Sequence, residues 1–130
     1  MIEQARWWLN TARNDLKTAK LLCENGDYAN SAFHSQQAAE KLLKAYIVSR
    51  GFIPRTHSCI ELVDLIKDRF SLQIPEELRT DARKLDLQYI QSRYPNGLGG
   101  DPSVYYDKQI ALETFECARK IFERFEKEIH

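Results

Sequence analysis

Glycine and proline are scarce, five and four among 130 residues, and they sit in groups rather than at intervals. That excludes collagen-like repeats and argues against a β protein of many turns. Cysteine is scarcer still. Cys23, Cys59 and Cys117 are an odd number with no C-x-x-C pair, so neither a disulfide framework nor a zinc ribbon is written here. They read as core residues of a protein in a reducing cytoplasm. No apolar run approaches the ~18 residues of a membrane span, and Met1-Ile2-Glu3-Gln4-Ala5-Arg6-Trp7-Trp8 has no signal-peptide core, so neither secretion nor membrane insertion is indicated.

Charge of one sign is missing as well. Nineteen basic side chains balance nineteen acidic ones, and the molecule as a whole exerts no pull on nucleic acid or an acidic membrane. The three histidines, His34, His57 and His130, lie far apart and belong to no H-E-x-x-H or Cys/His cluster, so no metal is implied. Also lacking are a G-x-S-x-G elbow, a G-x-G-x-x-G turn, a G-x-x-x-x-G-K-[ST] loop and any internal repeat, and no cofactor is implied.

What is present is helical periodicity. Ala5, Trp8, Leu9, Ala12, Leu16, Ala19 and Cys23 predict a helix over about 3–24, stopped by Asn25-Gly26-Asp27. A second runs over about 28–50, with Ala32, Ala39, Leu43, Tyr46 and Ile47 inward and Gly51 and Pro54 at its end. Its Gln36 lies on the apolar side and is expected to be hydrogen-bonded inside. Ser58-Cys59-Ile60-Glu61 has the S-x-x-E form of a capping box, opening a shorter helix to about Arg69. Pro75-Glu76-Glu77 starts a fourth, with Leu78, Ala82, Leu85 and Tyr89 inward, which must stop near Tyr94 because Pro95 disfavours helical geometry before it. Asn96 to Pro102 reads as the one flexible stretch, and a last helix over about 107–129 is capped by Asp107. The expectation is a single all-α domain spanning 1–130, an up-and-down bundle of four long helices plus one short helix.

The second helix is the most informative segment. From Phe33 to Ala45 it is apolar or small around most of its circumference, leaving Asn30, His34, Gln37, Lys41 and Lys44 on one polar stripe. The local field agrees, since residues 28–58 carry Lys41, Lys44, Arg50 and Arg55 against Glu40 alone. This stripe reads either as a basic strip open to a phosphate or as a solvated face balanced after folding. His34 on it has the side chain suited to proton transfer at neutral pH.

A second constellation is Asp86, Tyr89 and Arg93 on one face at the end of the fourth helix. Arg93 either offers a planar fork to phosphate or satisfies the last carbonyls of its helix. His57 reads as a hydrogen-bonding residue at the start of the third helix. Trp7 and Trp8 cannot both face one core, so one of them covers an interface or a neighbouring helix.

In order, these pieces resemble the HEPN family, the "higher eukaryotes and prokaryotes nucleotide-binding" domains, over nearly the full length. They are Trp8-Leu9, Ala12, Asp15-Leu16 and Ala19; Gly26-Asp27-Tyr28 with Ala32-Phe33-His34; Gln36 to Lys41 with Leu43-Lys44-Ala45; Thr56-His57-Ser58; and Asp86-Leu87-Gln88-Tyr89 leading to Arg93-Tyr94-Pro95-Asn96. The resemblance implies a four-helix bundle, a homodimer, and a minimal nucleotidyltransferase as protein partner in a toxin–antitoxin-type pair. It further implies a bound nucleotide such as ATP, with Arg93, Lys41, Lys44, His34, Gln37, Asp86 and Tyr89 as candidate ligand contacts and no catalytic residue. Two alternatives stand beside this reading.

Other HEPN proteins are metal-independent ribonucleases with Arg followed by His after four to six residues. Here those positions after Arg93 hold Leu98, Gly99 and Gly100, so an RNA-cleaving site needs His34 or His57 brought from elsewhere. The remaining alternative is a ligand-free scaffold, dimerising through Ser35, Ala38, Leu42 and Ala45.

Overall fold

The computed structural model describes residues 2–130, which form seven α-helices and, among the described residues, no strand. α1 (Glu3–Glu24) buries Ala5, Leu9, Ala12, Ala19 and Cys23 along one stripe. It ends where Gly26 takes φ +81°, a conformation that costs glycine little, and the Gly26 and Asp27 amides close on the carbonyls of Cys23 and Leu22.

α2 (Tyr28–Ser49) then runs back antiparallel along α1. Partner numbers show the direction: the Ser31 hydroxyl donates to the Ala19 carbonyl at 2.7 Å, Lys41 pairs with Asp15, and Lys44 lies over Trp8. α2 also touches α3, α4 and α7, and so it is the central helix of the bundle. Leu42, Leu43, Tyr46 and Ile47 are buried in the main core with Leu62, Ile66, Leu85, Ile121 and Phe125, and Tyr46 sets its ring edge-on to Phe70 and Phe125. This position corrects one expectation. Ser35, Ala38, Leu42 and Ala45 are all 0% exposed inside the monomer, so that face is unavailable to a second copy.

α3 (Cys59–Phe70) is the short helix. The Ser58 hydroxyl accepts from the Glu61 amide as the capping pattern predicts. α4 (Glu76–Gln91) and α7 (Lys108–Phe125) complete the four long helices, α7 capped by Asp107 through the Ile110 amide at 2.9 Å and followed by a 3-10 turn over Glu126–Glu128.

The stretch from Asn96 to Pro102, expected to be one flexible loop, keeps a turn only at Gly99–Asp101, which joins two short helices, α5 (Pro95–Leu98) and α6 (Pro102–Tyr105). Each starts with proline in its first turn, and Asp101 caps α6 by accepting from the Ser103 amide and hydroxyl. Gly97 lets α5 close on α4: a β-carbon there would stand 3.0 Å from Ile90 Cγ2 and 3.3 Å from the Gln91 Cα.

All three cysteines are free and buried. Burial, with Asp86 and Glu40 nearby, pushes the Cys59 thiol well up, and burial with Asp81 pushes Cys117 up to about 12. Neither is a nucleophile at neutral pH. Among the described residues no helix is long and apolar enough to cross a membrane.

Candidate functional site

The polar stripe of α2 is present, but α1 closes much of it. Asp15 of α1 faces it with both carboxylate oxygens: Oδ1 stands 3.1 Å from His34 Nδ1 and Oδ2 stands 2.7 Å from Lys41 Nζ. Asn30 donates to the Asp27 carboxylate, and Gln37 Nε2 donates to Gln36 Oε1 at 2.7 Å. Lys44, read from the sequence as part of the open strip, lies inside. Its ammonium is 2.9 Å from Glu40 Oε2, and the two side chains are only 7% and 5% exposed.

Gln36, Glu40 and Lys44 stand four residues apart on one face of α2, so the burial foreseen for Gln36 carries the other two inward. Gln36 Nε2 donates to Glu40 Oε1 at 3.0 Å. The α2–α3 loop then adds His57, whose Nδ1 is 3.1 Å from Glu40 Oε2 and 3.3 Å from Lys44 Nζ. One nitrogen cannot donate to the carboxylate and accept from the ammonium together. With Nδ1–H on Glu40, Nε2 is left as an acceptor, whereas with Nδ1 accepting from Lys44, Nε2 carries the proton. The ring is 72% exposed, so either form is offered to solvent.

His57 stacks on Tyr89 of α4, with centroids 6.2 Å apart and planes 17° from parallel. Tyr89 in turn carries Arg93. The guanidinium lies 4.2 Å from the Phe33 centroid, 5.1 Å from Tyr89 and 5.0 Å from Tyr94. Its Nε donates to the Tyr89 carbonyl at a long 3.4 Å, which leaves the terminal nitrogens unengaged by that bond. Arg93 is exposed, and among the described residues no carboxylate pairs with it. A guanidinium set among three rings, with its fork unpaired by any carboxylate, can accept a phosphate or carboxylate.

Asp86, one helical face away, does different work. Its oxygens accept from the Ser58 hydroxyl at 2.8 Å, the Cys59 amide at 2.6 Å and the Ile60 amide at 3.2 Å, tying α4 to the start of α3. It fixes the loop that carries His57 and makes no pair with Arg93.

The structure therefore brings Tyr89, Arg93, Phe33 and His57 onto one shelf, with Lys44 beneath it and His34 and Lys41 beside it on Asp15. Sequence reasoning missed Asp15, Phe33 and Glu40. Glu40 was legible from its spacing to Gln36. Asp15 and Phe33 were not, since each acts across a helix boundary.

Comparison with known proteins matches the chain to one family. The HEPN domain profile covers residues 5–129. The chain belongs to the HEPN domain family. Among solved HEPN-like structures, a Thermus thermophilus protein superposes with a TM-score of 0.89 at 35% identity, over 96% of this chain and 98% of that one. An archaeal HEPN homologue superposes with a TM-score of 0.81 at 31% identity, over 97% of this chain and 98% of that one. A Methanocaldococcus jannaschii protein named "Putative toxin" is 28% identical over 135 residues, 94% of this chain and 86% of that protein. The helical bundle deduced from the sequence is thus the HEPN bundle.

Proposed function

We propose that this HEPN chain is one member of a toxin–antitoxin-type pair, that its Arg93 shelf holds the phosphate of a nucleotide such as ATP, and that its protein partner is a minimal nucleotidyltransferase. The observation that carries the reading is the unpaired Arg93 fork set between Phe33, Tyr89 and Tyr94. Lys41 stands beside it with its charge partly met by Asp15 and supplies a weaker second layer of attraction, and His34 shares the same carboxylate. The likeness to a protein named as a toxin supports the pairing, and the cytoplasm is the compartment that three free, buried cysteines suit.

The test is calorimetric titration of ATP into wild type and Arg93→Ala. A charge-assisted contact of roughly 1.5–3 kcal/mol predicts an affinity loss of about tenfold or more. Equal isotherms would remove Arg93 from the site. Co-purification with a nucleotidyltransferase encoded beside it tests the partner.

A second reading is favoured by one contact. His57, stacked on the ring that carries Arg93, is a histidine delivered from another element, the piece of a metal-independent ribonuclease that this chain lacks in the sequence after Arg93. Its Nε2 would move the 2′-hydroxyl proton while Arg93 stabilised charge on the phosphorus oxygens. Cleavage of labelled RNA in a chelator, lost in both His57→Ala and Arg93→Ala, would promote this reading above the first; an inert wild type would discard it for that substrate.

A further inference from the structure

One half-buried amide beside Arg93 has its direction decided from inside the bundle. Gln37 lies one turn of α2 beyond Phe33, about 5.4 Å along the axis, and Tyr89 lies one turn of α4 before Arg93. Arg93 rests on Phe33, so the Gln37 amide and the Tyr89 ring both stand one turn from that contact, on the side of His57.

What Gln37 can offer a ligand follows from a chain of hydrogen bonds that begins at the buried ion pair. Glu40 accepts at both oxygens, from Lys44 at 2.9 Å through Oε2 and from Gln36 Nε2 at 3.0 Å through Oε1. A carboxylate cannot donate, so the nitrogen of the Gln36 amide is committed to it and the Gln36 oxygen is turned the other way. That oxygen accepts from Gln37 Nε2 at 2.7 Å. Gln36 is 0% exposed, so water cannot stand in for either partner. Turning the Gln37 amide over would set two acceptor oxygens against each other, at the full cost of an unmade buried bond. Gln37 therefore presents Oε1 and the second hydrogen of Nε2, neither of which is used in its bond to Gln36. An acceptor beside a donor is the complement of adenine, whose exocyclic amine lies beside a ring nitrogen. The same pattern opposes a base with a carbonyl at the position of that amine.

We propose that Gln37 reads the base of the nucleotide whose phosphate rests on Arg93, and that Gln36 is a positioning residue that fixes its polarity from Glu40. The selected base carries an exocyclic amine, adenine in preference to hypoxanthine. The inference rests on the reading of Arg93 as a phosphate holder and adds to it the choice of base.

ATP and ITP are the probes, since they share sugar and triphosphate and differ in having an amine or a carbonyl on the base. Each is titrated by calorimetry into wild type, Gln37→Met, Gln36→Met and Arg93→Ala. Wild type should bind ATP about fivefold or more tightly than ITP, the ratio for one hydrogen bond exchanged for two facing acceptors. Gln37→Met should bring that ratio close to one. Gln36→Met should do the same by freeing the Gln37 amide to turn over, although Gln36 is buried away from the ligand. Arg93→Ala should weaken both nucleotides alike. Circular dichroism checks the fold of Gln36→Met, and if that variant unfolds, the half-buried Gln37→Met decides alone. Equal binding of ATP and ITP by wild type, or a preference that persists in Gln37→Met, overturns the base reading. The phosphate reading survives that failure if both affinities still fall in Arg93→Ala. A preference lost in Gln37→Met but kept in a folded Gln36→Met overturns the fixed polarity. Binding of neither nucleotide overturns both readings.

Discussion

Lys44 and Glu40 form an ion pair 2.9 Å long inside the bundle, one helical turn apart on the central helix. Two charges so deep are stable only together, because each needs the other to offset its lost hydration. Gln36 and His57 occupy further positions around the carboxylate. Lys44→Met should therefore destabilise the fold by about 3 kcal/mol, the range for stranding a buried charge. Lys41→Met, removing a more exposed partner of Asp15, should cost well under half as much. Urea denaturation measures both, and adding Glu40→Gln to Lys44→Met should recover much of the loss. A neutral Lys44→Met would show that the carboxylate is not charged in the native state.

Asp86 clamps the start of α3 with three hydrogen bonds. Asp86→Ala should cost about 2 kcal/mol, more than an ordinary cap because the same carboxylate also ties α4 to the loop. Arg93→Ala, at an exposed helix end, should move the melting temperature little. Thermal unfolding of the two variants side by side separates the structural acid from the exposed base; a destabilised Arg93→Ala would mean that the guanidinium is needed for packing.

Ser35 is fully buried, and its hydroxyl has no hydrogen-bond partner among the described residues. Ser35→Ala removes an unsatisfied polar group and substitutes a better helix former, so it should stabilise by about 1 kcal/mol. Calorimetry should show a rise of roughly 2–5 °C. A fall would reveal a partner for the hydroxyl.

The pH dependence has two arms. Hydrogen bonds from Arg79 to Asp64, Lys120 to Glu77 and Arg119 to Glu116 hold these carboxyls below their ordinary range. A depressed folded value adds stability that is present above the unfolded value and is lost as pH falls through the folded one. The melting temperature should thus fall below about pH 4, and because these pairs are exposed the step should shrink in salt. On the alkaline side, burial pushes the Tyr106 hydroxyl, which donates to Gln88, up to about 12. A raised value reverses the sign: stability is complete below the unfolded value of about 10 and is lost as pH climbs toward the folded one. Phenolate absorbance of the native protein should show a late-titrating tyrosine component that disappears in Tyr106→Phe; a variant whose alkaline titration matches wild type apart from one lost ordinary tyrosine would contradict the burial of Tyr106.

Part of the site is legible in the amino-acid sequence alone. The apolar stripes of α1, α4 and α7, the Ser58 and Asp107 caps and the inward Gln36 each depend on contacts within about four residues along the chain, where helical period and side-chain chemistry suffice. The pairing of Tyr89 with Arg93 is legible for the same reason. The two helical turns after Pro95 are written in their prolines and in Asp101, but the glycine-rich run from Asn96 to Gly100 reads more readily as a loop. Lys44 shows the opposite failure: a lysine is expected outside, although its spacing to Gln36 and Glu40 carries it inward.

By itself, the sequence determined where each of the five longer helices begins, within a few residues where it ends, and which apolar stripe it turns inward, because those choices are made within a turn or two of backbone. Only the tertiary structure decided that Asp15 meets His34 and Lys41, that His57 comes to rest on Tyr89 above the Glu40–Lys44 pair, and that Arg93 settles on Phe33. Each of these contacts joins side chains from different elements, some from opposite halves of the chain, and helical period carries no record of which faces will meet once burial of the apolar stripes draws the helices together.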